Sequence, residues 1–316
     1  MQSCSRRSNY RSHLYSLVRA GFKPAPYGPG TGGFQTCPLR PYSPGSEATP
    51  MIRWELYKLV RQRRTLFGLG ATALVPVLFV AALEITRQGP PEGEAPFATQ
   101  LLENGLVVPL VTLAFATFVL LPLVVAFVAG DVVAGEVSAG TLKTVLSRSV
   151  GRTGLFLSKA AAVGVYCLAV SAVLAGVGLA AGYLAGGFAP LAGLGGTPIS
   201  VGRGIALVWA GAGLVSVPLM ALAAFAVFLS VTTHNSVGSG VGAVVLVLLL
   251  RLASGLGLAG PLDPYLLTNQ FEAWLNLARD PIAWEPIARS LWVSLLWGTC
   301  FLAAAWAVFT RRDVLS

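Results

Sequence analysis

Six runs of about twenty apolar residues govern what this chain can become. They fall near 66–83, 106–129, 160–186, 204–230, 238–258 and 289–309. As a helix, each run is long enough to cross a hydrocarbon layer of about 30 Å, and a helix satisfies every backbone N–H and C=O within its own segment. Of the 316 residues, 55% are hydrophobic and only 11% are charged. Soluble domains carry roughly 25% charged residues. No single aqueous core could hide so much apolar surface. The expected fold is therefore an all-α membrane protein with six transmembrane helices.

The net charge of +9 divides into +5 over residues 1–50 and +4 over the body, where the charges sit at the ends of the oily runs. It does not form the single basic face that a nucleic-acid binder needs. Six spans put both ends of the body on one side, and the distribution of Lys and Arg decides which side. With the N-terminus inside, the segments 51–65, 131–159, 231–237 and 311–312 hold eleven Lys/Arg, against five in the outer segments. This predicts an N-in, C-in topology in the cell membrane.

Residues 1–50 differ from the rest. Seven prolines and many Gly, Ser and Arg leave no periodic apolar face. The segment reads as a disordered leader, and the abrupt onset of organised sequence at Met51 makes that methionine the expected natural start. From there, 51–64 (MIRWELYKLVRQRR) has helical periodicity, with Ile52, Leu56, Leu59 and Val60 on one face. Trp54, Lys58 and Arg61 suit the headgroup zone, so this stretch is expected to lie on the membrane as an interfacial helix. The other reading is the basic start of the first span. In the third span Gly178, Gly182 and Gly186 recur every four residues, as do Gly238 and Gly242 in the fifth, which allows close helix packing. The long segment 259–288 mixes aromatics with charges and reads either as short helices dipping into the outer interface or as an ordered outer cap.

One long stretch of the body is amphipathic, Gly130–Lys159, between the second and third runs. The topology puts it in the cytoplasm. Gly135 and Gly140 can break a helix and leave a short rigid piece over Thr141–Ser147, with Leu142, Val145 and Leu146 as its apolar face. Lys143, Arg148 and Arg152 supply charge for an acidic rim on a partner. Glu136 either pairs with Arg148 or Arg152 or stands solvated.

Several chemistries lack their residues. None of the four lysines follows a glycine, so no Gly-Lys-Ser/Thr phosphate loop exists. No HExxH occurs, and the histidines are His13 and His234. Cys4, Cys37, Cys167 and Cys300 form neither a CxxC nor a Cys/His cluster. Ser239 lies between two glycines but has no histidine base on another span, so it reads as a small residue at a helix crossing. The span interiors hold no Asp or Glu of the kind that coupled carriers keep at mid-membrane. Arg251 is the one buried-looking charge, placed to snorkel toward the outer interface.

With these residues in view, the connector resembles the cytoplasmic segment of type-2 ABC transporter permeases, in the group related to the nitrous-oxide-reductase maturation permease. The matching residues are Asp131, Glu136, Gly140-Thr141-Leu142, Leu146-Ser147, Arg152 and Lys159. Arg148-Ser149 stands where members often carry a proline. The likeness covers 51–316 and none of 1–50. It implies a permease subunit of an exporter that works as a dimer with a second permease copy and carries separate ABC ATPase subunits. It also implies a short coupling helix seated in each ATPase, with contacts over Glu136, Gly140, Thr141, Leu142, Val145, Leu146, Arg148 and Arg152. ATP and Mg would belong to the partner, and this chain would hold no cofactor, no metal and no catalytic residue. The alternatives are a self-sufficient channel or carrier and, more remotely, an intramembrane enzyme.

Overall fold

The computed structural model describes residues 48–87, 104–138, 152–192, 198–233 and 235–311. Residues 1–47 of the leader lie outside this set. The body is helical. Helix α1 (Ala48–Arg61) carries Pro50 in its first turn, where the missing N–H has no helical partner to lose. It ends at Arg61, and α2 (Arg63–Arg87) starts after the single non-helical residue Gln62. The amphipathic start is thus a helix of its own and not the lower end of the first span.

The second apolar run is split. Helices α3 (Val107–Phe118) and α4 (Leu120–Ser138) meet at Val119, whose φ of −135° is not helical. Pro122 accounts for the break. It has no N–H for the Phe118 carbonyl four residues back, and its ring crowds that carbonyl. Helix α4 then runs straight through Gly135, which does not break it. The space a Cβ would take at Gly135 is filled by the Asp131 carboxylate one turn earlier. Helix α5 (Arg152–Gly186) begins eight residues before the apolar run, so Arg152–Lys159 forms its first two turns.

A two-residue antiparallel pair, Leu191–Ala192 with Pro198–Ile199, closes the loop to α6 (Val201–Thr233). Helix α7 (Ser236–Gly255) follows a tight turn. Asn235 caps it, its side chain accepting from the N–H groups of Val237 and Gly238 at 3.1 and 3.0 Å. Two 3-10 helices, Gly260–Tyr265 and Leu267–Ala278, lead to the last helix, α8 (Trp284–Arg311). Helices α2, α4, α5, α6, α7 and α8 are each long and apolar enough to cross a membrane. Large apolar side chains stand exposed on their outer faces, including Phe67 and Leu78 on α2 and Leu295 on α8. Only lipid or another protein covers such a surface at low cost.

Helix α6 is the hub. It packs against α4, α5, α7, α8 and the second 3-10 helix, and it is apolar and buried on almost all sides. The 259–288 segment packs into the bundle. Leu267, Phe271 and Trp274, spaced for one helical face, are buried in the main core. Trp274 lies over Gly211 of α6, where a Cβ would fall 3.2 Å from the ring.

The two ends of the bundle separate cleanly. At one, which we call the connector end, Arg64 reaches Asp131 of α4, and Ser236 of α7 donates to the same carboxylate. Arg152 of α5 there donates to the Thr310 carbonyl of α8 at 3.3 Å. At the far end Asn104 ties the α3 entry to the α5–α6 loop, accepting from Leu106 and Ala189 and donating to the Pro190 carbonyl.

Candidate functional site at the connector end

Helix α1 faces the bundle with Leu59, which is buried, and with Ile52 and Leu56, which are half-buried. Val60, expected on that face, is exposed. It lies a full turn past Leu56 and one step beyond the contact line. The same inward side of α1 carries two charges. Glu55 accepts from the Lys159 ammonium at 3.3 Å, and Lys58 pairs with Glu136. Lys159 also pairs with Glu136 at 2.6 Å, so the four side chains form an alternating chain, Glu55–Lys159–Glu136–Lys58.

Three helices supply this chain: α1, the last turns of α4 and the first turns of α5. Only 2% of Lys159 is exposed, and Glu136 is buried as well. Burying a charge is costly unless it is paired and hydrogen-bonded. Here each buried charge faces partners of opposite sign from two other segments. Glu136 is therefore neither a solvated side chain nor one held through its own connector alone. The chain locks together the two stems from which the connector leaves and returns.

A second cluster sits one turn away. Arg64 pairs with Asp131 at 2.5 Å and donates to Ser236 Oγ at 2.7 Å, while Ser236 donates to Asp131. Below it α4 and α7 cross closely. A Cβ on Gly130 would lie 2.8 Å from both Gly240 N and Ser239 Oγ, and one on Gly240 would lie 2.9 Å from Phe127. Ser239 Oγ donates to the Gly130 carbonyl at 2.8 Å. From α6, Ser230 Oγ accepts from the Val133 and Ala134 N–H groups at 3.3 and 2.8 Å. Ser239 is thus a buried crossing residue whose hydroxyl is committed to backbone.

The other expected residues distribute as follows. Gly140, Thr141, Leu142, Val145, Leu146 and Arg148 lie outside the described residues, as does His234. Trp54 and Arg61 face outward on α1, and Lys58 turns inward to Glu136. Gly178 meets Pro109, at 2.9 Å from a built Cβ, and Gly182 lies backbone to backbone against Gly105. Gly186 is exposed at the end of α5. On α7, a Cβ at Gly238 would meet its own cap residue Asn235, and one at Gly242 would meet the Leu229 side chain, whereas at Gly240 it would also meet the backbone of Phe127, at 3.2 Å. Sequence reasoning did not find Glu55, Gly130 or Gly240. Glu55 offered a signal: it is the one acid in a strongly basic amphipathic helix.

Arg251, at the far end, reaches from α7 to the second 3-10 helix and to the end of α3. Its guanidinium donates to the Thr117 carbonyl at 3.4 Å, pairs with Glu272 at 3.3 Å and lies 4.3 Å over the Phe118 ring. Thr117 is in the last turn of α3, where carbonyls lose their helical partners. The break made by Pro122 thus leaves an acceptor, and Arg251 takes it.

Among the described residues no cluster of three or more His, Cys, Asp or Glu could hold a metal ion. Six membrane-length helices and a charged end cross-linked by buried ion pairs define a multi-pass membrane protein with an organised polar connector end. The family described as ABC-2 family transporter protein matches residues 51–250, and the chain belongs to it. The matched part takes in α1 through most of α7, hence both ion clusters and the whole connector. No curated protein matches the sequence. The chain is accordingly a membrane component of the ABC transporter class, a component that lacks an ATPase of its own.

Proposed function

We propose that the chain is the permease subunit of an ATP-driven exporter of the group related to the nitrous-oxide-reductase maturation permease, working as a dimer in the cell membrane. Its connector end faces the cytoplasm, and the connector docks into a separate ATPase through the short segment expected over Thr141–Ser147. ATP and Mg bind in that partner. Closure of the ATPase pair pushes on the connector and shifts the bundle between inward- and outward-open states.

One observation carries this reading. In a chain of the ABC-2 family, the two stems of the charged connector are locked to each other and to α1 by buried ion pairs. Such a lock lets a push on the connector move whole helices.

The test is co-purification of the chain with a candidate ABC ATPase from the same organism. Leu142→Asp with Leu146→Asp should abolish the complex and the ATPase stimulation while leaving the bundle folded. Unchanged binding and stimulation would contradict the docking role. Transport by the purified chain alone, without ATP, would instead favour a self-sufficient channel or carrier.

A further inference from the structure

The ion chain uses up one side of α1 and leaves the other without a partner among the described residues. Ile52, Glu55, Leu56, Lys58 and Leu59 fall on the bundle side, and Arg53, Trp54, Tyr57, Val60 and Arg61 fall on the opposite side, all five exposed. Trp54 and Tyr57 stack with ring centroids 6.1 Å apart. The Arg61 guanidinium lies 4.9 Å from the Tyr57 ring centroid. The outward face carries no acid, because the one acid of the helix, Glu55, is turned inward to Lys159. Arg63, just past the end of α1, adds a further exposed cation beside this face.

We infer that this outward face of α1 is a binding surface for the headgroups of anionic phospholipids. The chemistry is complementary at each point. Aromatic rings with polar edges favour the headgroup level, and arginines form bidentate bonds to phosphate. Each basic residue near a negatively charged leaflet adds attraction, and an acid there would cancel it. Position argues the same way. A single residue separates helix α1 from α2, so α1 sits where a membrane-length helix leaves the hydrocarbon. Its apolar side chains Leu56 and Leu59 are spent on the protein core. It therefore meets the membrane through arginine and aromatic contacts, not by sinking an oily face. The ion chain then ties whatever lipid α1 holds to both stems of the connector, which gives membrane charge a direct mechanical link to that end of the bundle. The surface itself does not depend on the ATPase reading.

The test places a fluorophore on the face and a quencher in the lipid. The full chain carries Val60→Cys, with Cys4, Cys37 and Cys300 changed to serine; Cys167 is buried and stays. It is reconstituted in phosphatidylcholine vesicles that contain a small share of nitroxide-labelled phosphatidylglycerol or of equally labelled phosphatidylcholine. We expect stronger quenching by the phosphatidylglycerol probe. The preference should fall about five-fold for each of Arg53→Gln and Arg61→Gln, and it should shrink in high salt. A fluorophore on Gly202→Cys, exposed at the far end with open space around its Cβ, should show no such preference. Equal quenching by the two probes at position 60 would overturn the inference, as would a preference that survives both arginine changes. Absence of quenching by either lipid would also overturn it, since the face would then be covered by protein.

Discussion

The bundle buries cations at both ends, and it satisfies them differently. At the connector end, Lys159 has a side chain 2% exposed and lies between two carboxylates that are themselves largely shielded. At the far end, Arg251 is also mostly shielded, but its carboxylate partner Glu272 is 62% exposed. Its remaining contacts are a backbone carbonyl and a ring face. The first arrangement is an ion network in which each member depends on the others. The second is a helix-end cap that happens to use a cation. Charge removal should therefore be severe at one end and mild at the other.

The largest effect is expected from Lys159→Met. It leaves Glu55 and Glu136 facing each other without their shared cation, and removing one partner of a buried pair costs about 3–5 kcal/mol. Denaturant unfolding of the purified protein in detergent measures it, and a loss of about 2 kcal/mol or less would place Lys159 with Arg251 in kind. Next comes Gly130→Val. Two methyl groups have no room beside Gly240 N and Ser239 Oγ, so α4 and α7 must separate, at about 1–3 kcal/mol. Wild-type stability in this variant would mean that the crossing is not tight.

A smaller loss, about 1–2 kcal/mol, is expected for Arg251→Met, which abandons the Thr117 carbonyl and the Phe118 ring. The same unfolding assay should rank it well below Lys159→Met; a reversed order would break the comparison. Smallest is Glu272→Gln. An ion pair with one partner so exposed is worth little, and the change should stay within about 0.5 kcal/mol.

The two ends also differ in how far the sequence revealed them. Spans are legible because length and apolarity are local properties; α5, α6 and α8 contain the runs from which they were expected, and α7 covers its run up to Gly255. The split of the second span was legible in principle from Pro122, since a proline inside a helix removes a specific hydrogen bond. Arg251 stood out as a charge in an oily run, but its partners could not be seen. Thr117 is 134 positions away, and its carbonyl is free only because the helix ends there.

The ion chain was harder still. Lys58 meets Glu136 across 78 positions, and Lys159 meets Glu55 across 104. Nothing local distinguishes these pairings from the nearer arginines on the connector itself. Glycine spacing showed which helix faces are small but not what fits against them. Gly178 finds Pro109 and Gly182 finds Gly105, while on α7 the tight backbone approach falls at Gly240, between the two glycines that the spacing marked. Gly135 shows the converse: a residue that weakens helices in isolation stays helical because α4 is held on both sides by packing.

The most direct test of the account is the coupling between Lys159 and Glu136, because the link between the two connector stems rests on it. A double-mutant cycle with Lys159→Met, Glu136→Gln and the pair, read by unfolding in detergent, isolates that interaction. A network of the kind seen here predicts a coupling of about 2 kcal/mol or more, with the double variant recovering much of what Lys159→Met alone loses. Losses that simply add to within about 0.5 kcal/mol would contradict it.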